Sequence, residues 1–111
     1  MRLEVKKYLE AIKYYEEALT LDPNRIDALA SLTQVYVIQG NSKAAFERVE
    51  QHLKRTQNQA AVYQLLGQLS LGKKEYGRAI QQLEKAVELN PNLSSAYLLI
   101  GNAYAALGRL P

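Results

Sequence analysis

The chain has 111 residues, 48% hydrophobic and 23% charged, with a formal net charge of +3 and no cysteine. These values suit one compact domain or a short repeat array and argue against disorder. Without Cys there are no disulfides or thiolate metal sites. Basic residues dispersed among acids, as in Lys73-Lys74-Glu75, do not make a nucleic-acid footprint.

The apolar spacing predicts six helices and no strands. The first covers 4–21, where Tyr8, Ala11, Ile12, Tyr15, Ala18 and Leu19 recur at three- and four-residue steps. Pro23 ends it by forcing the preceding residue out of the helical region. The second spans 26–39, with Leu29, Leu32, Thr33 and Tyr36 inward, and Gly40-Asn41 terminates it. The third spans 42–55 on Ala45, Phe46, Val49, His52 and Leu53, and Gln57-Asn58-Gln59 makes the next turn without a proline. The fourth spans 60–71 on Tyr63, Leu66, Gly67 and Ser70, with Gly72 closing it. The fifth spans 75–89 on Tyr76, Ala79, Ile80, Leu83, Ala86 and Val87, and Asn90-Pro91-Asn92 breaks it. The sixth spans 94–107 on Tyr97, Ile100, Gly101 and Tyr104, with Gly108 at its end.

These elements repeat with a period of 34 residues. Tyr63-x2-Leu66-Gly67 returns as Tyr97-x2-Ile100-Gly101, and Tyr76-x2-Ala79…Ala86…Pro91 has its earlier counterpart in Tyr8-x2-Ala11…Ala18…Pro23. A fixed period in this range marks a repeat architecture. The pattern resembles the tetratricopeptide repeat: residues 60–93 form a full repeat, with Ser70 and Leu83 where aromatics are usual. Residues 1–25 match the second half of a repeat and 94–111 the first half, while 26–59 is a degenerate repeat with Thr33 for Gly and Gln57 for Pro. The resemblance implies an all-α, right-handed superhelical array of antiparallel helix pairs over 1–111, a TPR-like α-solenoid.

In such repeats the first helix of each pair lines a concave groove where partners bind. Helical geometry places Asp27, Ala30, Gln34 and Val37 opposite the inner stripe of the second helix. The equivalent later positions are Ala61, Gln64, Gln68 and Leu71, then Ser95, Leu98, Asn102 and Ala105. Gln34, Gln68 and Asn102 fall in one column, where carboxamides offer donors and acceptors to an extended peptide backbone. The alternative reading is three ordinary solvent-facing polar residues. No Lys or Arg joins these stripes, so the carboxylate clamp of the co-chaperone subtype is not expected.

A second expectation concerns the first and last helices, where Tyr8, Ile12 and Tyr15, and Tyr97, Ile100 and Tyr104, lack a covering helix: either the chain is a fragment of a longer array, or the open ends are covered by another chain, as in end-to-end association of copies. His52 stands where the neighbouring repeats carry Ala18 and Ala86. It reads either as a ligand or pH switch, or as a partly buried side chain accommodated by a local shift that loosens the stack towards 60–93. With one His and no carboxylate cluster, no metal site, cofactor or catalytic set is expected. Glu16-Glu17, Glu47 and Glu50 read as solvated helix faces. No apolar run approaches ~18 residues, so the chain as given reads as soluble without membrane insertion. Its compartment stays open: cytoplasmic or periplasmic if it belongs to a longer bacterial protein. The function expected is a protein–protein interaction scaffold that binds an extended peptide or partner helix.

Overall fold

The structure, a computed structural model, describes residues 3–109. It contains six α-helices and, among the described residues, no strand: α1 (Leu3–Leu21), α2 (Ile26–Ile38), α3 (Ser42–His52), α4 (Gln59–Gly72), α5 (Tyr76–Leu89) and α6 (Ser94–Gly108). They form two compact units, residues 1–57 and 58–111, so the division falls within the turn that lacks a proline.

The turns explain the boundaries. At Asp22-Pro23-Asn24 the Asp22 carboxylate accepts from the Asn24 N–H at 3.0 Å, and at Asn90-Pro91-Asn92 the Asn90 side-chain Oδ1 accepts from the Asn92 N–H at 3.2 Å. This local side-chain bond gives the backbone an alternative to continuing the helix. The two turns between α2 and α3 and between α4 and α5 share another geometry. The Asn41 N–H reaches the Tyr36 carbonyl at 2.8 Å, and the Glu75 N–H reaches the Ser70 carbonyl at 3.0 Å. Each closure requires a left-handed residue just before the donor. Gly40 takes that role at φ +74°, as expected, but in the second turn it falls to Lys74 at φ 61°, not to Gly72. Gly72 remains the last residue of α4, and a lysine carries backbone strain that glycine would avoid.

In the first unit, α2 packs against both α1 and α3. Leu29, Leu32, Thr33 and Val35 of α2 are buried, as are Ala45, Phe46 and Val49 of α3. Only Leu19 of α1 is fully buried; Tyr8, Ala11, Ile12, Tyr15 and Ala18 are half-buried.

In the second unit, α5 packs between α4 and α6 over a core of Ala79, Leu83, Ala86 and Ala96, flanked by Tyr63, Leu71, Leu93, Leu99 and Ile100. Ser70 donates to Gln82 at 2.6 Å and Gly67 lies against Leu83, so residue numbers rise along α4 as they fall along α5. The pair is therefore antiparallel. The inward positions of α6 are Ala96 and Ala103, with Leu99 and Ile100 half-buried, while Tyr97 and Tyr104 face solvent.

Candidate functional site

The candidate partner-binding residues lie on α2 in the first unit and on α4 and α6 in the second. On α2, Asp27, Gln34 and Val37 are exposed and Ala30 is half-buried. Asp27 is not a free acid. Arg25 forms a two-point pair with it, from Nε to Oδ1 at 2.9 Å and from Nη2 to Oδ2 at 2.8 Å, and the Ala28 N–H adds a third bond at 2.9 Å. The Arg25 hydrogen bonds, assisted by the backbone donor, hold the Asp27 carboxyl down to about 2. The entry to α2 thus presents a neutralised pair, with Gln34 and Val37 two to three turns further along the helix. Arg25 lies outside the stripe read from the sequence, and its proximity to Asp27 is legible only from their two-residue spacing.

On the second unit, α4 and α6 meet directly. Ser95 donates its hydroxyl to the Gln64 side-chain Oε1 at 2.9 Å, which fixes the start of α6 against the first half of α4. Accepting this bond leaves the Gln64 amide N–H groups for other partners. One turn beyond Gln64 lies Gln68 and two turns beyond Ser95 lies Asn102, both exposed, with Leu98 and Ala105 exposed and Leu71 half-buried beside the core. Leu98 is 66% exposed. The face therefore combines carboxamides with uncovered apolar side chains. The structure brings together the α4 and α6 members of the expected set; Gln34 stands on α2 of the first unit.

The end-association residues are placed as follows. Tyr8, Ile12, Tyr15 and Ile100 are half-buried, and Tyr97 and Tyr104 are exposed.

The sequence reading missed a polar network in the first unit. His52 is completely buried, where a partly buried side chain was expected. Its Nε2 lies 2.6 Å from the Pro23 carbonyl, so Nε2–H donates there, and Nδ1 accepts from Arg48 Nη1 at 3.3 Å. Arg48, itself buried, grips Glu16 through Nε to Oε2 at 2.8 Å and Nη2 to Oε1 at 2.7 Å. Glu16 is therefore a structural partner and not the solvated residue expected. Beside the network, Asn24 Oδ1 accepts from the Thr56 hydroxyl at 2.7 Å and from the Gln57 N–H at 3.0 Å. His52 thus ties α3 back to the α1–α2 turn. The available signal was Arg48 and His52 four residues apart on the same face as Ala45 and Val49.

The hydrogen bond from Arg48 holds the Glu16 carboxyl below its ordinary value against partial desolvation. A depressed carboxylate contributes stability above its unfolded-state value, about 4.3, which is lost as pH falls through the lower folded-state value. Acid titration followed by hydrogen exchange is expected to loosen α1 and α3 from below about pH 4.3. Glu16→Gln should flatten that slope and lower stability at neutral pH.

Among the described residues, no group of three or more His, Cys, Asp or Glu side chains could hold a metal ion, and no helix is long and apolar enough to cross a membrane.

Short helices packed in succession within each unit, with turn geometries recurring 34 and 68 residues apart, define a helical-repeat protein. The family profile described as "Tetratricopeptide repeat" matches residues 2–69, and one described as "TPR repeat" matches residues 67–108. The chain belongs to the tetratricopeptide repeat family. It is 25% identical to Superkiller protein 3 of Schizosaccharomyces pombe over 113 aligned positions, covering 96% of this chain but only 8% of that protein. Among solved structures, the crystal structure of MamA superposes with a TM-score of 0.66 at 28% identity, covering 97% of this chain and 66% of the other. The crystal structure of YrrB, described as a TPR protein with an unusual peptide-binding site, gives 0.61 at 28% identity, covering 95% and 54%. Proteins of this family are protein-interaction modules, and some bind peptides. Their repeats are generally non-catalytic scaffolds.

Proposed function

We propose that the chain is a protein–protein interaction scaffold that binds an extended peptide on the face shared by α4 and α6. The observation that carries this reading is the Ser95–Gln64 bond, which sets α4 and α6 side by side with Gln68, Asn102 and Leu98 exposed. Carboxamides can pair with a peptide backbone whatever its sequence, and Leu98, Ala105 and Leu71 favour apolar side chains between the amides. The α2 face of the first unit, with Gln34, Val37 and Ala30, offers the same chemistry as a separate contact. A partner helix is the second form of ligand, since an amphipathic helix also presents apolar anchors to a groove. The reading assigns the chain no catalytic step and no cofactor.

A library of end-blocked, unstructured peptides tests the proposal. Peptides with apolar residues at alternate positions should be retained, and the paired substitutions Gln68→Ala and Asn102→Ala should weaken retention at least tenfold, with the helical circular-dichroism signal unchanged. Equal retention by the variant, or selection of acidic free C-termini, would contradict it.

A further inference from the structure

The first unit holds the chain's single histidine, and the partners of its ring dictate its charge. His52 is completely buried. The Pro23 carbonyl, 2.6 Å from Nε2, can only accept a hydrogen bond, so Nε2 carries a proton. Arg48 Nη1, 3.3 Å from Nδ1, can only donate, so Nδ1 must offer its lone pair. One form of the ring satisfies both partners, the neutral Nε2–H tautomer. A second proton would aim a donor at a donor and set one cation against another, away from water.

The acids on the surrounding elements are committed elsewhere or face solvent. On α1, both Glu16 oxygens are engaged by Arg48, and Glu17 is exposed. In the α1–α2 turn Asp22 accepts from the Asn24 N–H, and on α2 Asp27 is held by Arg25. On α3 Glu47 and Glu50 are exposed, and Arg55 in the following turn adds a cation. Movement cannot relieve the clash without a further loss. If the ring turned away it would break the Pro23 bond, and if Arg48 withdrew it would abandon its two bonds to Glu16. Either way, α3 loses a tie to α1 or to the turn after it.

We infer that His52 is a proton-sensitive latch, which holds α3 to α1 and the α1–α2 turn at neutral pH and releases them in mild acid. The sign follows from linkage. A histidine in an opened chain takes its second proton near about pH 6.5, and the closed unit offers that proton no acceptor. The opened form therefore binds more protons, and it gains as pH falls. Because α2 packs against both α1 and α3, release also dismantles the surface that carries Gln34 and Val37. The inference goes beyond the peptide-binding reading, whose α4–α6 face lies in the second unit, where there is no histidine. It also lies above the Glu16 step, which begins near about pH 4.3.

Segment-resolved hydrogen exchange on the whole chain, from about pH 7.5 to about pH 5 and corrected for the intrinsic rate at each pH, tests it. Opening of α1–α3 should rise about tenfold per pH unit below about pH 6.5, while α4–α6 stay level. His52→Gln keeps a donor and an acceptor but has no proton to gain, so its opening should not change over that range. The ring gives a second reading that needs no variant. The nitrogen shifts of the single histidine should show the neutral Nε2–H tautomer in the folded wild type, with no imidazolium in the folded species at about pH 5.5. A level wild-type profile, a step that survives in His52→Gln, or an imidazolium inside the folded protein would each overturn the inference.

Discussion

His52→Ala is expected to destabilise the first unit by about 2–4 kcal/mol, although it installs the residue that the repeat carries at the same register in Ala18 and Ala86. Family preference points the other way, since substitutions towards the common residue usually stabilise. The structure explains why it fails here. Removing the imidazole leaves the Pro23 carbonyl without its 2.6 Å donor, takes the Nδ1 acceptor from a buried Arg48, and opens a cavity at a completely buried position. Each unsatisfied buried group costs roughly 1–3 kcal/mol, and the cavity adds to that. Hydrogen exchange resolved by segment should show the loss in α1–α3, with α5 protected as in the wild type. A stabilised His52→Ala protein would show that the network is dispensable.

Gly67 and Gly101 occupy the same position in successive repeats, yet the same substitution is expected to have opposite effects. A Cβ at Gly67 would stand 2.5 Å from Leu83 Cγ and 2.6 Å from Cδ2, and Leu83 is completely buried with little room to yield. Overpacking of this kind costs about 1–3 kcal/mol. The better helix propensity of alanine returns about 1 kcal/mol. The net expectation for Gly67→Ala is a loss of about 1–2 kcal/mol, and Gly67→Leu should be worse. At Gly101 nothing lies within 4 Å, so only the propensity gain applies and Gly101→Ala should stabilise by about 0.5–1 kcal/mol. Urea denaturation at low micromolar concentration checks both. Equal effects at the two sites would mean that Leu83 moves aside.

The helices were legible in the sequence because local residues decide them. Pro23 and Pro91, the Asp22 and Asn90 side chains, and Gly40 act within a few residues of the turns they shape. Lys74 is the exception, since nothing local marks a lysine for a left-handed position; only its spacing of 34 from Gly40 does. The Glu16–Arg48–His52–Pro23 network was not legible. Its members are separated by 29 and 32 residues, and each looks like a surface charge or an isolated oddity until α1 and α3 come together. The candidate face was legible in part. Helical periodicity selected Gln68, Leu98 and Asn102, whereas the Ser95–Gln64 bond joining their helices depends on how α6 docks in the unit.

The most direct test of the interaction-scaffold account is a nuclear magnetic resonance titration of the labelled chain with a peptide retained in the library screen. The account predicts that shift changes concentrate at Gln64, Gln68, Leu71, Leu98, Asn102 and Ala105. Changes centred instead on the exposed outer residues of α5, Gln81, Glu84 and Glu88, with the α4 and α6 positions silent, would contradict it.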